Sequence, residues 1–239
     1  MSYIYLVRHG QAGTRDNYDT LSDIGVQQSL MLGEYMASQK IRFDAAFHGG
    51  LRRQLDTARG VIEAYERVGL WFPEMAEDPG WREFDLDAVY RGIAPQLCDA
   101  DPAFKRDYAT LMDQVKASAG VSTAEVHRRW SPCDIQVVES WIRGRYQYDG
   151  ESWNAFRERV GAAVLPNDAE GNVIVFTSAT PTALWAGRGL DLEDERVLRI
   201  AGVLYNTSIT VLRVRGPQVR LFSLNGTPHI TQPELKTHR

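Results

Sequence analysis

Residues 3–10 of this 239-residue chain read YIYLVRHG, a short run of apolar, β-branched and aromatic side chains that ends at polar residues and a glycine. Such a run predicts a buried strand over Tyr3–Val7. A similar run predicts a second strand over Phe43–His48, just before Gly49-Gly50. Apolar residues at helical spacing predict a helix after each strand: Leu21–Ser38, with Ser22 as its N-cap, and Leu51–Val68.

The same alternation returns near residue 173. The stretch 173–190, VIVFTSATPTALWAGRGL, predicts a buried strand over Val173–Thr177 and a helix over Pro181–Arg188. Ile209–Val214 and Val219–Leu224 are predicted to form a closing antiparallel hairpin. Further predicted elements are a strand at Leu70–Met75 and helices at Ala103–Ala119, Thr123–Trp130 and Ser152–Leu165. This order predicts an α/β fold, a three-layer α/β/α sandwich with a mostly parallel sheet and an antiparallel closing edge.

The alternation is lost between about residues 86 and 148, where we predict a mostly helical cap inserted into one domain of residues 1–239. A chain of this length buries a large core without disulfides or metal, and Cys98 and Cys133 form no CxxC pair. The net charge of −4 argues against nucleic-acid or anionic-membrane partners. With no signal-peptide pattern and no membrane-spanning apolar run, we expect a cytoplasmic protein, its oligomeric state left open.

Arg8-His9-Gly10-Gln11 follows the first predicted strand and is the first candidate site. The planar guanidinium of arginine binds phosphate or carboxylate oxygens in pairs, and histidine acts near neutral pH as acid, base or nucleophile. Gly10 would let the backbone approach a bound group. An Arg-His pair in this position could equally cap a helix or bind water.

The second candidate site is GLRRQLDTA, residues 50–58, at the start of the second predicted helix. Arg52 and Arg53 point about 100° apart on a helix, so at most one of them faces the end of the sheet. Most such pairs are solvated, but a helix N-terminus beside an arginine would suit an anion.

These stretches belong to a series of six that occur in chain order: LVRHG at 6–10, LSDIGVQQ at 21–28, GLRRQLDTA at 50–58, GWREFD at 80–85, GES at 150–152 with Phe156 and Arg159-Val160, and NTSI at 206–209 with Asn225 and His229. Together they resemble the histidine phosphatase (phosphoglycerate mutase-like) superfamily. The resemblance spans nearly the whole chain and is weakest between residues 86 and 148.

The resemblance implies that His9 attacks the phosphorus of a small phosphorylated substrate and becomes a phosphohistidine. Arg8 and Arg53 would then bind the phosphoryl oxygens, and Gln11 is counted among the phosphate-binding residues. Glu83 would protonate the leaving oxygen and later activate water. Taken without the family, Glu83 would more simply be a solvated carboxylate, with Asp78 and Asp85 as its nearest substitutes. The resemblance implies no cofactor and no metal.

The sequence departs from the family after the strand Val173–Thr177, where the family has a second histidine. Aligning the strand places Ser178 at that position and Ala179 at the glycine that follows it in the family. Thr180 is a candidate N-cap and Pro181 a candidate first helical residue, so free N–H groups would face an anion. Either Ser178 and this backbone still bind phosphate in a working enzyme, or the site binds a phosphorylated ligand without turnover.

His48, at the end of the second predicted strand, could supply the missing imidazole as an accessory residue, or could simply bind backbone. Arg143 and Arg145 could meet an acidic substrate, although a solvated surface explains them as well. The sequence therefore predicts a metal-independent phosphomonoester hydrolase acting through a phosphohistidine, with activity reduced by the missing histidine. The alternatives are a non-catalytic phospho-ligand-binding protein and, less favoured, a phosphoglycerate mutase-type phosphotransferase.

Overall fold

A computed structural model describes residues 2–13, 19–117, 131–163, 171–216 and 218–238 of the chain. The chain divides into two compact units, the first formed by Met1–Glu83 with Val160–Arg239 and the second by Phe84–Arg159. The helix predicted at Thr123–Trp130 lies outside the described residues. The single domain with an inserted cap stays a prediction.

The first unit contains a six-stranded sheet. Its strands are β1 (Ser2–Arg8), β2 (Ala45–His48), β3 (Met75–Glu77), β4 (Gly171–Thr177), β5 (Ile209–Arg215) and β6 (Gln218–Gly226). They lie in the order β3-β2-β4-β1-β5-β6. The four strands from β3 to β1 are parallel, whereas β5 and β6 are antiparallel to their neighbours. The predicted fold class, a mostly parallel sheet with an antiparallel edge, is confirmed.

Helices lie on both faces of this open sheet. The helices of the described chain are α1 (Asp23–Ser38), α2 (Arg52–Arg67), α3 (Leu86–Ala100), α4 (Pro102–Ala117), α5 (Pro132–Ile142), α6 (Trp153–Gly161), α7 (Ala179–Arg188) and α8 (Asp194–Ala201). The predicted N-cap of α1 is confirmed, because the Ser22 hydroxyl accepts a hydrogen bond from the Gly25 amide.

The core explains why these residues form a sheet covered on two sides. The last five residues of β4 are all buried, which is typical of a central parallel strand with both faces covered. Alternate residues of β4, Ile174 and Phe176, pack with α1 and α2 in one apolar cluster. On α7 and α8, Ala183, Val197 and Ala201 form a second cluster.

Several predicted boundaries were wrong. The strand expected at Leu70–Met75 begins only at Met75, because Leu70 and Phe72 pack against the core without pairing to a strand. The helix expected from Pro181 begins at Ala179, since the first turn of a helix tolerates a proline whose missing N–H would have no intrahelical partner. The predicted helix Ser152–Leu165 is observed as α6, which ends at Gly161, and α8 was not predicted.

The second unit is helical in its described part. Of its helices, α4 was predicted at Ala103–Ala119 and α6 at Ser152–Leu165, whereas α3 and α5 were not predicted. The helix α3 escaped notice because Pro95 lies inside it. The helix α5 begins with Pro132 after a capping box formed by Ser131 and Asp134. Phe84, Trp141 and Phe156 pack as an aromatic group of this unit.

Candidate active site

The strands β1 and β4 bring the first and last sequence motifs together. These strands are parallel neighbours in which Arg8 lies opposite Thr177. The amide of His9 donates to the carbonyl of Thr177 at 2.9 Å. His9 and Ser178 therefore leave adjacent strands at the same carboxyl edge of the sheet, where ligands of open α/β sheets bind.

The imidazole of His9 is buried and held by two hydrogen bonds of opposite direction. Its Nδ1 lies 2.7 Å from the Gly10 carbonyl oxygen, which can only accept a hydrogen bond. Its Nε2 lies 3.2 Å from Nε of Arg53, which can only donate one. The proton of a neutral imidazole must therefore be on Nδ1, and Nε2 presents its lone pair.

The surroundings of His9 keep this imidazole neutral. Burial lowers its pKa well below the ordinary value of 6.5, and the positive charges of Arg53 and Arg8 lower the pKa further. The hydrogen bond to the Gly10 carbonyl acts in the opposite direction but is the smallest of these effects. At neutral pH, Nε2 is therefore an unprotonated nitrogen next to two cations.

Arg53 is the arginine of the pair that faces this site. Its side chain is 9% exposed, whereas that of Arg52 is 67% exposed and pairs with Asp56. Nη1 of Arg53 forms an ion pair with Asp19 at 3.0 Å, and the second Asp19 carboxylate oxygen accepts from the Arg52 amide at the start of α2. Asp19 thus orients the Arg53 guanidinium while its Nε faces His9.

Arg8 is buried at the end of β1, beside His9. Its Nη1 donates to the carbonyl of Leu204, which precedes β5. The backbone of Arg8 is bound by residues that follow Leu204 in the chain. Its amide donates to the Ser208 carbonyl, and its carbonyl accepts from the Thr207 amide. Two guanidinium groups and one neutral imidazole consequently share one edge of the sheet.

Ser178 is the N-cap of α7, the role that the sequence had indicated for Thr180. Its side chain makes no capping bond. Instead, Ser178 Oγ accepts a hydrogen bond of 3.0 Å from Nε2 of Gln54. Because a hydroxyl has one hydrogen and this bond uses an oxygen lone pair, the Ser178 hydrogen is directed away from Gln54.

Glu83 lies at the first turn of α7, where its Oε2 accepts from the Thr180 amide at 3.0 Å. The expectation that free N–H groups of this helix start face an anion stays a prediction, although the Thr180 amide is not one of the free groups. The Thr180 amide is bound to Glu83, Pro181 has no N–H, and the Thr182 amide donates back to Ser178. A carboxylate at a helix N-terminus is electrostatically favourable, so this bond fixes Glu83 in the unit that contains His9.

The side chains of Gln11 and His48 each form a hydrogen bond to a group other than His9. The side-chain oxygen of Gln11 accepts from the Ser22 hydroxyl at 2.8 Å, at the start of α1. Nδ1 of His48 accepts from the Gly50 amide at 3.1 Å, and burial lowers the pKa of His48. This is the backbone-bound arrangement for His48, and neither bond joins these side chains to His9. Their roles in the site stay predictions.

Side chains outside the loop that carries His9 form hydrogen bonds to its backbone. The carbonyl of His9 accepts from Nδ2 of Asn206 at 3.1 Å, and the Gly10 amide donates to the Thr57 hydroxyl at 2.9 Å. Thr207 has a left-handed backbone with φ of 54°, which is uncommon for a β-branched residue. This conformation aims the Thr207 amide at the carbonyls of Arg8 and His9.

Close packing of the backbone also requires glycine at position 10, while the predicted approach of Gly10 to a ligand stays a prediction. A Cβ atom on Gly10 would lie 2.6 Å from the Gly25 carbonyl oxygen, and one on Gly25 would lie 2.2 Å from that of Gln11. The loop that carries His9 and the first turn of α1 pass so closely that only glycine fits at either position.

The site contains residues that sequence reasoning missed. Asp19, Gln54 and Thr57 all bind groups of the candidate site. Gln54 carried a usable signal, since it shares the helical spacing of the core residues Ala58, Val61 and Tyr65 and is buried with them. Asp19 and Thr57 carried no such signal in the sequence. Asp19 precedes the helix α1, and Thr57 lies on α2 in a position where polar residues are often structural.

The fold and site define a phosphoglycerate mutase-like α/β protein with a histidine and two arginines at the carboxyl edge of its sheet. Residues 4–140, more than half of the chain, match the sequence profile of the histidine phosphatase superfamily (branch 1). The chain therefore belongs to this superfamily, and the resemblance noted from the motifs is confirmed. Among curated protein sequences, none matches this chain.

Solved structures with the same fold include phosphatases. YhfR of Bacillus stearothermophilus is 18% identical, with a TM-score of 0.61, and the alignment covers 96% of this chain and 99% of that one. A phosphoserine phosphatase mutant of Entamoeba histolytica with phosphoserine is 16% identical, with a TM-score of 0.57, covering 96% and 100%. A mycobacterial glucosyl-3-phosphoglycerate phosphatase with inorganic phosphate is 17% identical, with a TM-score of 0.55, covering 96% and 99%. At these identities the likeness concerns the fold.

The described residues contain neither a metal-binding cluster nor a membrane-spanning helix. No group of three or more His, Cys, Asp or Glu side chains there is arranged to hold a metal ion. In the same part of the chain, no helix has the length and apolar character needed to cross a membrane.

Proposed function

We propose that this protein is a phosphomonoester hydrolase that acts on a small phosphorylated substrate through a phosphohistidine at His9. The observation that carries the proposal is the fixed neutral imidazole of His9, whose Nε2 lone pair lies among Arg53 and Arg8. A neutral nitrogen nucleophile beside two cations suits attack on a phosphoryl dianion. Membership of the superfamily supports the same reaction.

In the first step, Nε2 of His9 forms a bond to phosphorus while the bond from phosphorus to the leaving oxygen breaks. The Arg53 Nε–H, which is bound to Nε2 in this structure, must turn to a phosphoryl oxygen to free the lone pair. Substrate binding would itself supply that oxygen, so binding and activation of the nucleophile would be coupled. Stabilising the phosphoryl charge by positioned cations is the main source of catalysis in such reactions.

Glu83 would act first as the general acid and then as the general base of the reaction. In its carboxylic acid form it would donate a proton to the leaving oxygen, which departs as an alcohol. As a carboxylate it would then take a proton from water, whose oxygen attacks phosphorus while the bond to His9 Nε2 breaks, and inorganic phosphate is released. The amide of Thr180 supports this role by holding one Glu83 oxygen in place.

Ser178 would take part in phosphate binding through its hydroxyl. Because Gln54 donates to Ser178 Oγ, the hydroxyl hydrogen is available for a phosphoryl oxygen near His9. A neutral hydroxyl contributes less to an anion than an imidazole that is protonated, so we expect slower turnover than a second histidine would allow.

A chromogenic phosphomonoester assay tests the proposal by comparing the wild type with His9→Ala and Arg53→Ala. We expect turnover in the wild type, its loss in both variants, and a phosphorylated histidine trapped by rapid quenching of the wild type alone. Arg52→Ala is the matched control, because its side chain is exposed and pairs with Asp56 on the surface of α2. Phosphate binding without turnover in the wild type would overturn the proposal in favour of a non-catalytic phospho-ligand-binding protein.

A further inference from the structure

The segment Pro233–Thr237 binds two amide side chains, those of Gln28 and Asn206, which in turn bind the loop that carries His9. The Thr237 hydroxyl accepts a hydrogen bond of 2.9 Å from Nε2 of Gln28, on α1, and donates one of 3.0 Å to Oδ1 of Asn206. The backbone of Thr237 adds a third bond, because its carbonyl accepts from the Asn206 amide at 2.7 Å. Gln28 and Asn206 are fully buried.

The backbone partners of Gln28 and Asn206 fix the directions of these bonds. Oε1 of Gln28 accepts from the Gln11 amide, so Nε2 is the atom that faces Thr237. Nδ2 of Asn206 donates to the His9 carbonyl, so Oδ1 is the atom left for Thr237. A backbone N–H can only donate and a backbone C=O can only accept, and hence neither amide can be turned over.

Through Gln28, the hydroxyl reaches the peptide group that sets the tautomer of His9. The Gln11 amide, held by Gln28, belongs to the same planar peptide as the Gly10 carbonyl. That carbonyl accepts the Nδ1 hydrogen of His9. Because the peptide is planar, fixing the direction of its N–H also fixes the direction of its C=O, which points at Nδ1. The proton of His9 thus stays on Nδ1 and the lone pair on Nε2.

The same hydroxyl is also linked, through Asn206, to the preceding peptide group, which joins His9 and Gly10. The His9 carbonyl accepts from Asn206, and the other end of this peptide, the Gly10 amide, donates to Thr57. Without the Thr237 hydroxyl, Asn206 Oδ1 would lose this partner, and Gln28 Nε2 would keep only its bond of 2.7 Å to the Leu235 carbonyl among the bonds of the described residues. The two amide side chains that bind the peptide groups would then be less firmly held.

We propose that Thr237 is a positioning residue for the nucleophile, because its hydroxyl helps to orient Gln28 and Asn206 and, through them, the two peptide groups on either side of Gly10, one of which binds the His9 imidazole. The hydroxyl acts at a distance from the substrate, through groups behind the loop. This inference rests on the proposed role of His9 as nucleophile.

The test replaces the hydroxyl in graded steps. Thr237→Val keeps the shape without hydrogen bonds, Thr237→Cys keeps a weak donor and acceptor, and Thr237→Ser keeps the hydroxyl. We expect kcat to fall by about 3- to 10-fold in Thr237→Val, less in Thr237→Cys and little in Thr237→Ser, with KM unchanged in all three. Thr231→Val, an exposed position just before the same segment, is the matched control.

A second measurement separates positioning from general destabilisation. Nitrogen NMR of histidine-labelled protein at neutral pH reports which ring nitrogen of His9 carries the proton. We expect Nδ1–H in the wild type and in Thr237→Ser, and a mixture of tautomers in Thr237→Val. If Thr237→Val fails to fold, the ranking of Thr237→Cys against Thr237→Ser in the same spectra decides the question.

The outcomes distinguish this inference from the proposed function. An unchanged His9 tautomer and kcat in Thr237→Val or Thr237→Cys would overturn the role of Thr237, whatever the enzyme does. An equal loss of kcat in Thr237→Ser would overturn it too, since the hydroxyl would then be irrelevant. A wild type without turnover contradicts the proposed function, but the tautomer of His9 still tests the positioning by Thr237.

Discussion

The Nε–H of Arg53 lies 3.2 Å from Nε2 of His9, and this hydrogen bond joins the proposed phosphate-binding group to the proposed nucleophilic atom. The bond shows that Nε2 carries no proton, because guanidinium only donates. The positive charge of Arg53 therefore lies beside Nε2, so that adding a proton to this nitrogen is electrostatically unfavourable. The pKa of His9 and the binding of phosphate are thereby linked through one side chain.

Replacing Arg53 by glutamine should raise the pKa of His9 towards 6.5, since the Arg53 charge is the largest cause of its lowering after burial. In the wild type, His9 stays neutral well below pH 6.5, so its protonation should not limit activity at pH 6. In Arg53→Gln the acid limb of the pH–rate profile should move to higher pH, and kcat/KM should fall by about 10²- to 10³-fold. NMR titration of His9 checks the pKa directly. Arg52→Gln is the control, and an unmoved His9 titration in Arg53→Gln would contradict the assignment.

Replacing Glu83 by glutamine should leave folding intact, because an amide oxygen can still accept from the Thr180 N–H. The variant lacks the proton that the leaving oxygen needs, so kcat should fall by about 10²- to 10⁴-fold with alkyl phosphates. With p-nitrophenyl phosphate, whose leaving group needs no proton, the phosphorylation of His9 should be much less affected. Equal losses of phosphorylation rate with both substrates would argue that Glu83 is not the acid.

Replacing Ser178 by alanine removes the hydroxyl that we propose donates to phosphate and leaves Gln54 with a weaker partner, the Trp81 carbonyl at 3.4 Å. We expect a loss of about 1 kcal/mol in the free energy of unfolding and of about 10²-fold in kcat/KM. Ser29→Ala is the matched control, because Ser29 is also buried and its hydroxyl donates to the Gly25 carbonyl of its own helix. A similar activity loss in both variants would show that Ser178 acts through stability alone.

The buried His229 should make the protein less stable in acid. The Thr207 hydroxyl donates to the Asn206 carbonyl, so it accepts from Nε2–H of His229, and burial lowers the pKa of His229 to about 4. The unfolded chain therefore binds a proton at His229 below pH 6.5 that the folded protein binds only below about pH 4. As pH falls through this window, the free energy of unfolding should decrease by about 3 kcal/mol on this account.

Urea unfolding at pH 7 and pH 4 measures this difference in the wild type and in His229→Gln, whose amide can still donate to Thr207. The wild type should lose about 3 kcal/mol more than the variant between the two pH values. The carboxylates and the other histidines contribute equally to both proteins and cancel in the comparison. Parallel losses in the two proteins would mean that His229 is accessible to protons in the folded state.

Much of the site could be predicted from local pattern. The apolar runs and helical spacings indicated the strands that end at His9 and Ser178, and the carboxyl ends of parallel strands meet at one edge. The burial of Arg53 and exposure of Arg52 likewise follow from the 100° step of a helix. The family was recognisable because its motifs occur in order along the chain. The catalytic roles of His9 and Glu83, and the phosphate-binding roles of Arg8, Arg53, Gln11, Ser178 and Ala179, stay predictions.

What the sequence by itself determined is therefore the order of the sheet strands, the helices that follow β1, β2 and β4, and the residue types at the strand ends, since these depend on side chains a few positions apart. Only the tertiary structure decided which nitrogen of His9 carries the proton, that Gln54 binds Ser178, and that Thr237 binds Gln28 and Asn206. Those bonds join residues far apart in the chain, and hydrogen bonds depend on angles and distances that no local periodicity encodes.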